Sequence, residues 1–210
     1  AAKLHFPVVH IEAGLRSFNK SMPEEINRIV CDHVSTLLFS PTKQGYQNLI
    51  NEGFKEYSGP FTINNPGIFH IGDIMYDNSI YFAQEAEKNS FLLNSLDIKP
   101  EEYVLTTIHR DHNTDIPERL ESIVESLLEI VSEFNTKIVL PLHPRTSKIL
   151  SKNLSQKLFK KFSEEKKIIQ IQPVSFLEMI LLERNSKLII TDSGGVQKEA
   201  HFFKKPCIIL

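Results

Sequence analysis

Short apolar runs alternate with amphipathic segments along the whole chain, and this alternation limits the fold more than any other feature. In the first part "PVVHI", "TLLFS" and "GIFHIG" read as strands, and residues 23–35, 42–53 and 75–88 read as the helices after them. A break of mixed polarity covers residues 86–101. The series then resumes with strands at "YVLTTI", "KIVLPL", "IIQIQ", "KLIIT" and "PCIIL" and helices over 117–134, 145–162, 175–185 and 196–203. The apolar runs are nearly continuous, as in strands buried on both faces, so the expected class is α/β with parallel sheets covered by helices. Ile26, Ile29, Val30 and Val34 have helical spacing in the first helix, and Pro23, Glu24 and Glu25 suit its start. Leu120, Ile123, Val124, Leu127, Leu128 and Val131 form one stripe on the helix 117–134. The break divides the chain into domains 1–90 and 91–210.

The chain has 210 residues, 41% of them apolar, enough for one large core or two small ones. Its formal charge of −2 gives no long-range attraction to nucleic acid or an anionic membrane, so neither is expected as a partner. No apolar run approaches the length of a membrane span, and His5, His10 and Glu12 interrupt the apolar start, unlike a signal peptide. Cys31 and Cys207 are far apart and form no redox or metal pair, which fits the reducing cytoplasm. The histidines lack metal-ligand spacing, so no metal and no cofactor are expected. The sequence opens just before a strand and closes inside one, which leads us to expect a fragment.

Three segments carry candidate chemistry. In "TDSGGVQKEA" a strand breaks at Ser193, Gly194 and Gly195 and restarts as a helix. Unpaired N–H groups and the helix dipole there favour a phosphate, and Glu199, one turn on, suits a ribose diol. The plain alternative is an N-cap, by Asp192 or Ser193, with a tight turn. In "HIEAGLR…MPEEINR", Glu12 ends a strand and Glu24 and Glu25 start the next helix, on one rim of a parallel sheet. Paired carboxylates there suit acid and base roles, although helix-dipole compensation explains Glu24 and Glu25 as well. In "TTIHRDHN" and "LPLHPRT", His109 with Arg110 and His143 with Arg145 follow two strands and suit a diphosphate; a loop or cap role is the alternative for each histidine. The lysines between 148 and 167 are interleaved with Leu150, Leu154, Leu158 and Phe162 and read as a solvated helix face.

"HIEAGLRSFNKSMPEEINR", "PTKQGYQNLINEGF", "IGDIMYD", "HRDHNTD", "LPLHPRT" and "TDSGGVQKEAHFFKKPC" occur in this order. Together they resemble the non-hydrolysing UDP-N-acetylglucosamine 2-epimerase family over nearly the whole chain. "MPEEINR" and "HPRT" also resemble the branch acting on UDP-2,3-diacetamido-2,3-dideoxyglucuronate. The resemblance implies two Rossmann-like lobes of the B-type glycosyltransferase kind, the N-terminal lobe incomplete and the C-terminal lobe cut short. It implies a nucleotide-sugar isomerase of surface polysaccharide biosynthesis, cytoplasmic and homodimeric, with a UDP-sugar as substrate. Glu12 and Glu24 match the catalytic carboxylates; a third, an aspartate, belongs to a preceding strand. His109 matches the histidine at the diphosphate, Ser193, Gly194 and Gly195 the diphosphate turn, and Glu199 the ribose contact. Arg110 and His143 match positions that in some members belong to a regulatory UDP-sugar site, and Arg145 is a further phosphate candidate beside them.

His112 stands where the family commonly has glutamate, and "KEYSGPFTINNPGI" is a longer link than usual. The alternatives are a hydrolysing relative, a glycosyltransferase of the same fold, and a split-gene product that at most binds a UDP-sugar. The acids of "HIEAGLR…PEEINR" favour C2 proton chemistry over glycosyl transfer. On the fragment reading, the 210 residues alone are expected to turn over UDP-N-acetylglucosamine little or not at all.

Overall fold

A computed structural model describes residues 1–56, 58–89 and 91–210. Tyr57, in the long link, and Ser90, at the boundary expected from sequence, lie outside the described residues. The chain forms two compact units, residues 1–77 and 78–210. The division thus falls earlier than the expected 90/91, inside a helix. Residues 78–89 pack with the second unit: Ser79, Ala83 and Ala86 are buried, and Phe82 meets Phe176 edge to face at 5.4 Å. Small residues on that face let the helix approach closely, while the composition break that marks the sequence comes only after it.

In the first unit a 3-10 turn at Ala2–Leu4 precedes β1 (Val9–Ile11), α1 (Pro23–His33), β2 (Leu37–Ser40), α2 (Lys43–Asn51) and β3 (Gly67–His70). The strands pair in parallel in the order β1-β2-β3. Ala13, Leu38, Leu49 and Ile68 form the core, with Tyr46, Ile50 and Phe54 against it. Helix α1 departs from its sequence pattern. Its buried residues are Glu25 and Asp32, whereas Ile26 and Val30 of the expected apolar stripe are exposed. The two acids turn inward because the loop after β1 presents donors to them.

The second unit continues α3 (Ile74–Asn89) into α4 (Leu92–Ser95), β4 (Tyr103–Thr107), α5 (Asp111–Thr114), α6 (Pro117–Phe134) and β5 (Lys137–Pro141). Then follow α7 (Pro144–Asn153), α8 (Gln156–Glu164), β6 (Ile168–Ile171), α9 (Phe176–Asn185), β7 (Leu188–Thr191), α10 (Gly194–Phe202) and β8 (Cys207–Ile209). All five strands are parallel, in the order β6-β5-β4-β7-β8. Val104, Ile138, Leu140 and Ile190 face a core shared with α6, α7 and α8, and Tyr103, Leu105, Val139 and Ile189 face another shared with α9 and α10. Alternate residues of each strand therefore serve opposite faces, which is why the runs are apolar throughout.

The helix expected over 145–162 is two helices. Leu154 is extended (φ −85°, ψ 148°), and Glu121 accepts the Ser155 N–H at 2.9 Å. A four-residue leucine spacing drifts around a continuous helix, and the break restores the heading, so that Leu150, Leu154 and Phe162 are all buried. The short helices α4 and α5 have no strong sequence signal. No described helix is long and apolar enough to cross a membrane.

Candidate functional site

The strand order of the second unit reverses between β4 and β7. In parallel α/β sheets the crevice beyond the carboxyl ends of two such strands is where ligands bind. The ends are joined there by a 2.6 Å hydrogen bond between Thr107 Oγ1 and Thr191 Oγ1. Next in sequence is Asp192, only 1% exposed. Its carboxylate accepts the backbone N–H of His109 (3.0 and 3.1 Å), the backbone N–H of Arg110 (2.9 Å) and the Asn113 side-chain amide (3.2 Å). Asp192 therefore clamps the β4–α5 loop to the end of β7. It is not the N-cap that one sequence reading offered.

Ser193 is the N-cap. Its hydroxyl accepts from Val196 N at 3.5 Å, while its own N–H donates to Thr191 Oγ1 at 2.9 Å. This leaves the Gly194 and Gly195 N–H groups at the first turn of α10 for an acceptor from outside. A Cβ added to Gly194 would meet nothing within 4 Å, and one on Gly195 only Ser193 Oγ at 3.8 Å. Neither glycine is required by φ or by packing within the unit.

The neighbouring strand end is engaged differently. His143 caps α7, its Nδ1 accepting from Arg145 N at 3.3 Å. Arg145 spans to the β4 side, pairing with Asp111 and, at 2.9 Å, with Asp115. His109 and Arg110 are exposed at the rim. Of the four groups expected from the sequence, His109 and Arg110 sit on the Asp192 clamp and His143 caps α7, while the Arg145 side chain ties α7 to Asp111 and Asp115 just beyond them. Glu199 is half-buried on α10 and acts electrostatically on Glu183 of α9, a residue the sequence reading passed over. Its signal was an acid at helical spacing from Met179 and Ile180, where the pattern calls for an apolar side chain.

In the first unit, Glu12 follows β1 with φ 78°, a left-handed conformation uncommon outside glycine and concentrated at functional sites. Two residues on, a Cβ on Gly14 (φ +78°) would lie 2.2 Å from Gly45 O, so only glycine permits this crossing. Asn48 holds it by donating to Gly14 O at 2.9 Å. Asp32, fully buried, accepts from Gly14 N at 3.1 Å and pairs with His10 at 2.6 Å and Arg16 at 2.7 Å. Arg16 also grips Glu52 through two bonds of 2.6 and 2.7 Å. Glu25 accepts the N–H groups of Ser17 and Phe18, both at 2.9 Å. Burial alone would raise the Glu25 carboxyl, but these N–H groups outweigh it and hold the group below its ordinary value. Glu24, one residue earlier, is exposed in the first turn of α1. The adjacent acids thus differ in kind: Glu25 fastens the loop, and Glu24 remains at the surface.

A parallel sheet covered by helices on both faces, with its strand order reversing between β4 and β7, defines a Rossmann-like α/β unit. The family model for UDP-N-acetylglucosamine 2-epimerase matches residues 1–210, and the chain belongs to that family. A UDP-N-acetylglucosamine 2-epimerase homolog of Methanococcus maripaludis is 47% identical over 210 residues, all of this chain and 54% of the relative. The UDP-2,3-diacetamido-2,3-dideoxy-D-glucuronate 2-epimerase of Pseudomonas aeruginosa is also 47% identical, over 211 residues, all of this chain and 53% of that protein. The crystal structure of the Methanocaldococcus jannaschii UDP-GlcNAc 2-epimerase in complex with UDP-GlcNAc and UDP superposes with a TM-score of 0.81 at 43% identity, covering all of this chain and 54% of that one. The chain spans about half the length of the curated relatives it matches.

Proposed function

We propose that the chain is the UDP-holding part of a UDP-N-acetylglucosamine 2-epimerase, which interconverts UDP-N-acetylglucosamine and UDP-N-acetylmannosamine for surface polysaccharide synthesis. The family match over all 210 residues carries this reading. In the reaction a base removes the C2 proton and the C1–O bond breaks, its electron pair leaving with UDP. A C1=C2 double bond forms in a glycal intermediate. UDP then bonds again to C1 while C2 takes a proton on the opposite face. Hydrogen leaves and returns as a proton, so the cycle balances without an external oxidant or reductant.

In this assignment Glu12 and Glu24 exchange the proton at C2. Ser193, Gly194 and Gly195 receive the diphosphate on the first turn of α10, with His109 and Arg110 beside them, and Glu199 accepts from the ribose. Arg145 and His143 maintain the rim. The free thiols of Cys31 and Cys207 fit a cytoplasmic enzyme, and we assign the whole protein a homodimeric state, which sedimentation would check.

Calorimetric titration of the chain with UDP and with uridine tests the reading. UDP should bind at least tenfold more tightly, because the diphosphate makes the contacts at the turn. Equal affinity would contradict it. In the complete enzyme, Glu12→Gln should abolish turnover and leave UDP affinity within about twofold. Assaying UDP-N-acetylglucosamine beside UDP-2,3-diacetamido-2,3-dideoxyglucuronate decides the sugar, since a relative of each kind is 47% identical.

A further inference from the structure

Glu183 is fully buried, neither of its carboxyl oxygens has a hydrogen-bond partner among the described residues, and the acid that acts on it is Glu199 of α10, the helix packed against α9. Its backbone cannot easily shift. Tyr103 donates its hydroxyl to Leu182 O at 2.7 Å, Glu101 N–H donates to Asn185 O at 2.8 Å, and Ser186 Oγ donates to Glu183 O at 2.9 Å. The end of α9 is thus a rigid mount for an acid that the folded unit does not otherwise need. Replacing such an acid by an apolar side chain is often neutral or stabilising. Two carboxyl groups can share a hydrogen bond only if one of them holds a proton. Glu183 is the more deeply buried and therefore the proton's natural site.

We propose that Glu183 is a positioning residue for nucleotide binding: its carboxyl donates a hydrogen bond to one oxygen of Glu199 and leaves the other oxygen to accept from a ribose hydroxyl. This rests on the reading of Glu199 as the ribose contact. Burial, followed by the Glu199 charge, raises Glu183, in agreement with its role as donor. Glu199 is raised by its own burial and drawn back by Glu183. Among the described residues Tyr103 of β4 also faces Glu183; it is raised by burial, by Glu101 and by Glu183, so it stays a neutral phenol.

The test compares UDP with 2′,3′-dideoxyuridine diphosphate in calorimetric titrations of the chain. The parent should prefer UDP by about tenfold, the order expected for one hydrogen bond to a charged group. Glu183→Met fills the space without donating. It should cut the preference to about twofold or less and leave affinity for the dideoxy compound unchanged. Glu183→Gln can donate an N–H and should retain the preference. As pH rises, the parent should lose the preference while Glu183→Gln keeps it, an effect a purely structural role does not produce. If Glu199→Gln erases the preference and Glu183→Met leaves it intact, Glu183 is structural and the proposal is overturned. If the parent binds both compounds equally, the ribose assignment of Glu199 has failed and the proposal falls with it.

Discussion

Glu25 in the first unit and Glu183 in the second are both helical glutamates at most 1% exposed, yet the fold treats them in opposite ways. Glu25 receives two backbone N–H groups from the loop after β1, with Arg28 at 3.5 Å. Neither oxygen of Glu183 has a hydrogen-bond partner among the described residues. The first is an ionised fastener, with the energy of its burial returned by hydrogen bonds. The second is a neutral acid whose polarity serves its neighbour. A buried carboxyl therefore has no fixed meaning; the donors that reach it determine whether it stabilises the loop or prepares a ligand contact.

The largest way to break the comparison is to remove a fastener. Asp32→Ala leaves His10 and the buried Gly14 N–H without their acceptor and Arg16 with Glu52 alone, and should cost about 3 kcal/mol, seen as lost hydrogen-exchange protection in residues 1–77. Glu183→Met should instead leave residues 78–210 as protected as before or more so. Equal losses from the two substitutions would remove the distinction.

The same contrast gives opposite pH dependences. The folded value of Glu25 is lowered, so its stabilisation is complete above its unfolded value near about 4.3 and is lost as pH falls through the folded value. Glu183 is raised, so the folded second unit binds a proton that the unfolded chain releases. Its contribution weakens as pH rises from about 4.3 toward the raised folded value. Exchange protection should fall first around the Ser17–Phe18 loop in acid and first at the end of α9 in alkali.

Smaller effects separate stability from binding at α10. Gly194→Ala adds a Cβ into open space and should change stability by less than about 1 kcal/mol, but it should weaken UDP at least tenfold. Ser193→Ala removes the cap and should cost about 1 kcal/mol of stability as well as affinity. Urea unfolding with parallel UDP titrations checks both.

The strand–helix alternation was legible because strands covered on both faces need continuous apolar runs. The limits of α6 were also legible, from Pro117 and one dominant stripe. What escaped reading depended on partners distant in sequence. Asp192 looks like a cap until the N–H groups of His109 and Arg110, more than eighty residues earlier, are found on it. Glu25 and Glu24 are indistinguishable as first-turn acids; only the path of Ser17 and Phe18 separates them. The break at Leu154 was hidden because leucines at four-residue spacing mimic a continuous helix. Glu183 was the one omission with a local signal, an acid in an otherwise apolar helical face.

The most direct test is a carboxyl-carbon NMR titration of the chain labelled with 13C-glutamate, the two resonances assigned by their loss in Glu25→Gln and Glu183→Gln. At pH 6.5 the account requires the ionised shift for Glu25 and the protonated shift for Glu183. A Glu183 carboxyl already ionised at that pH would contradict it.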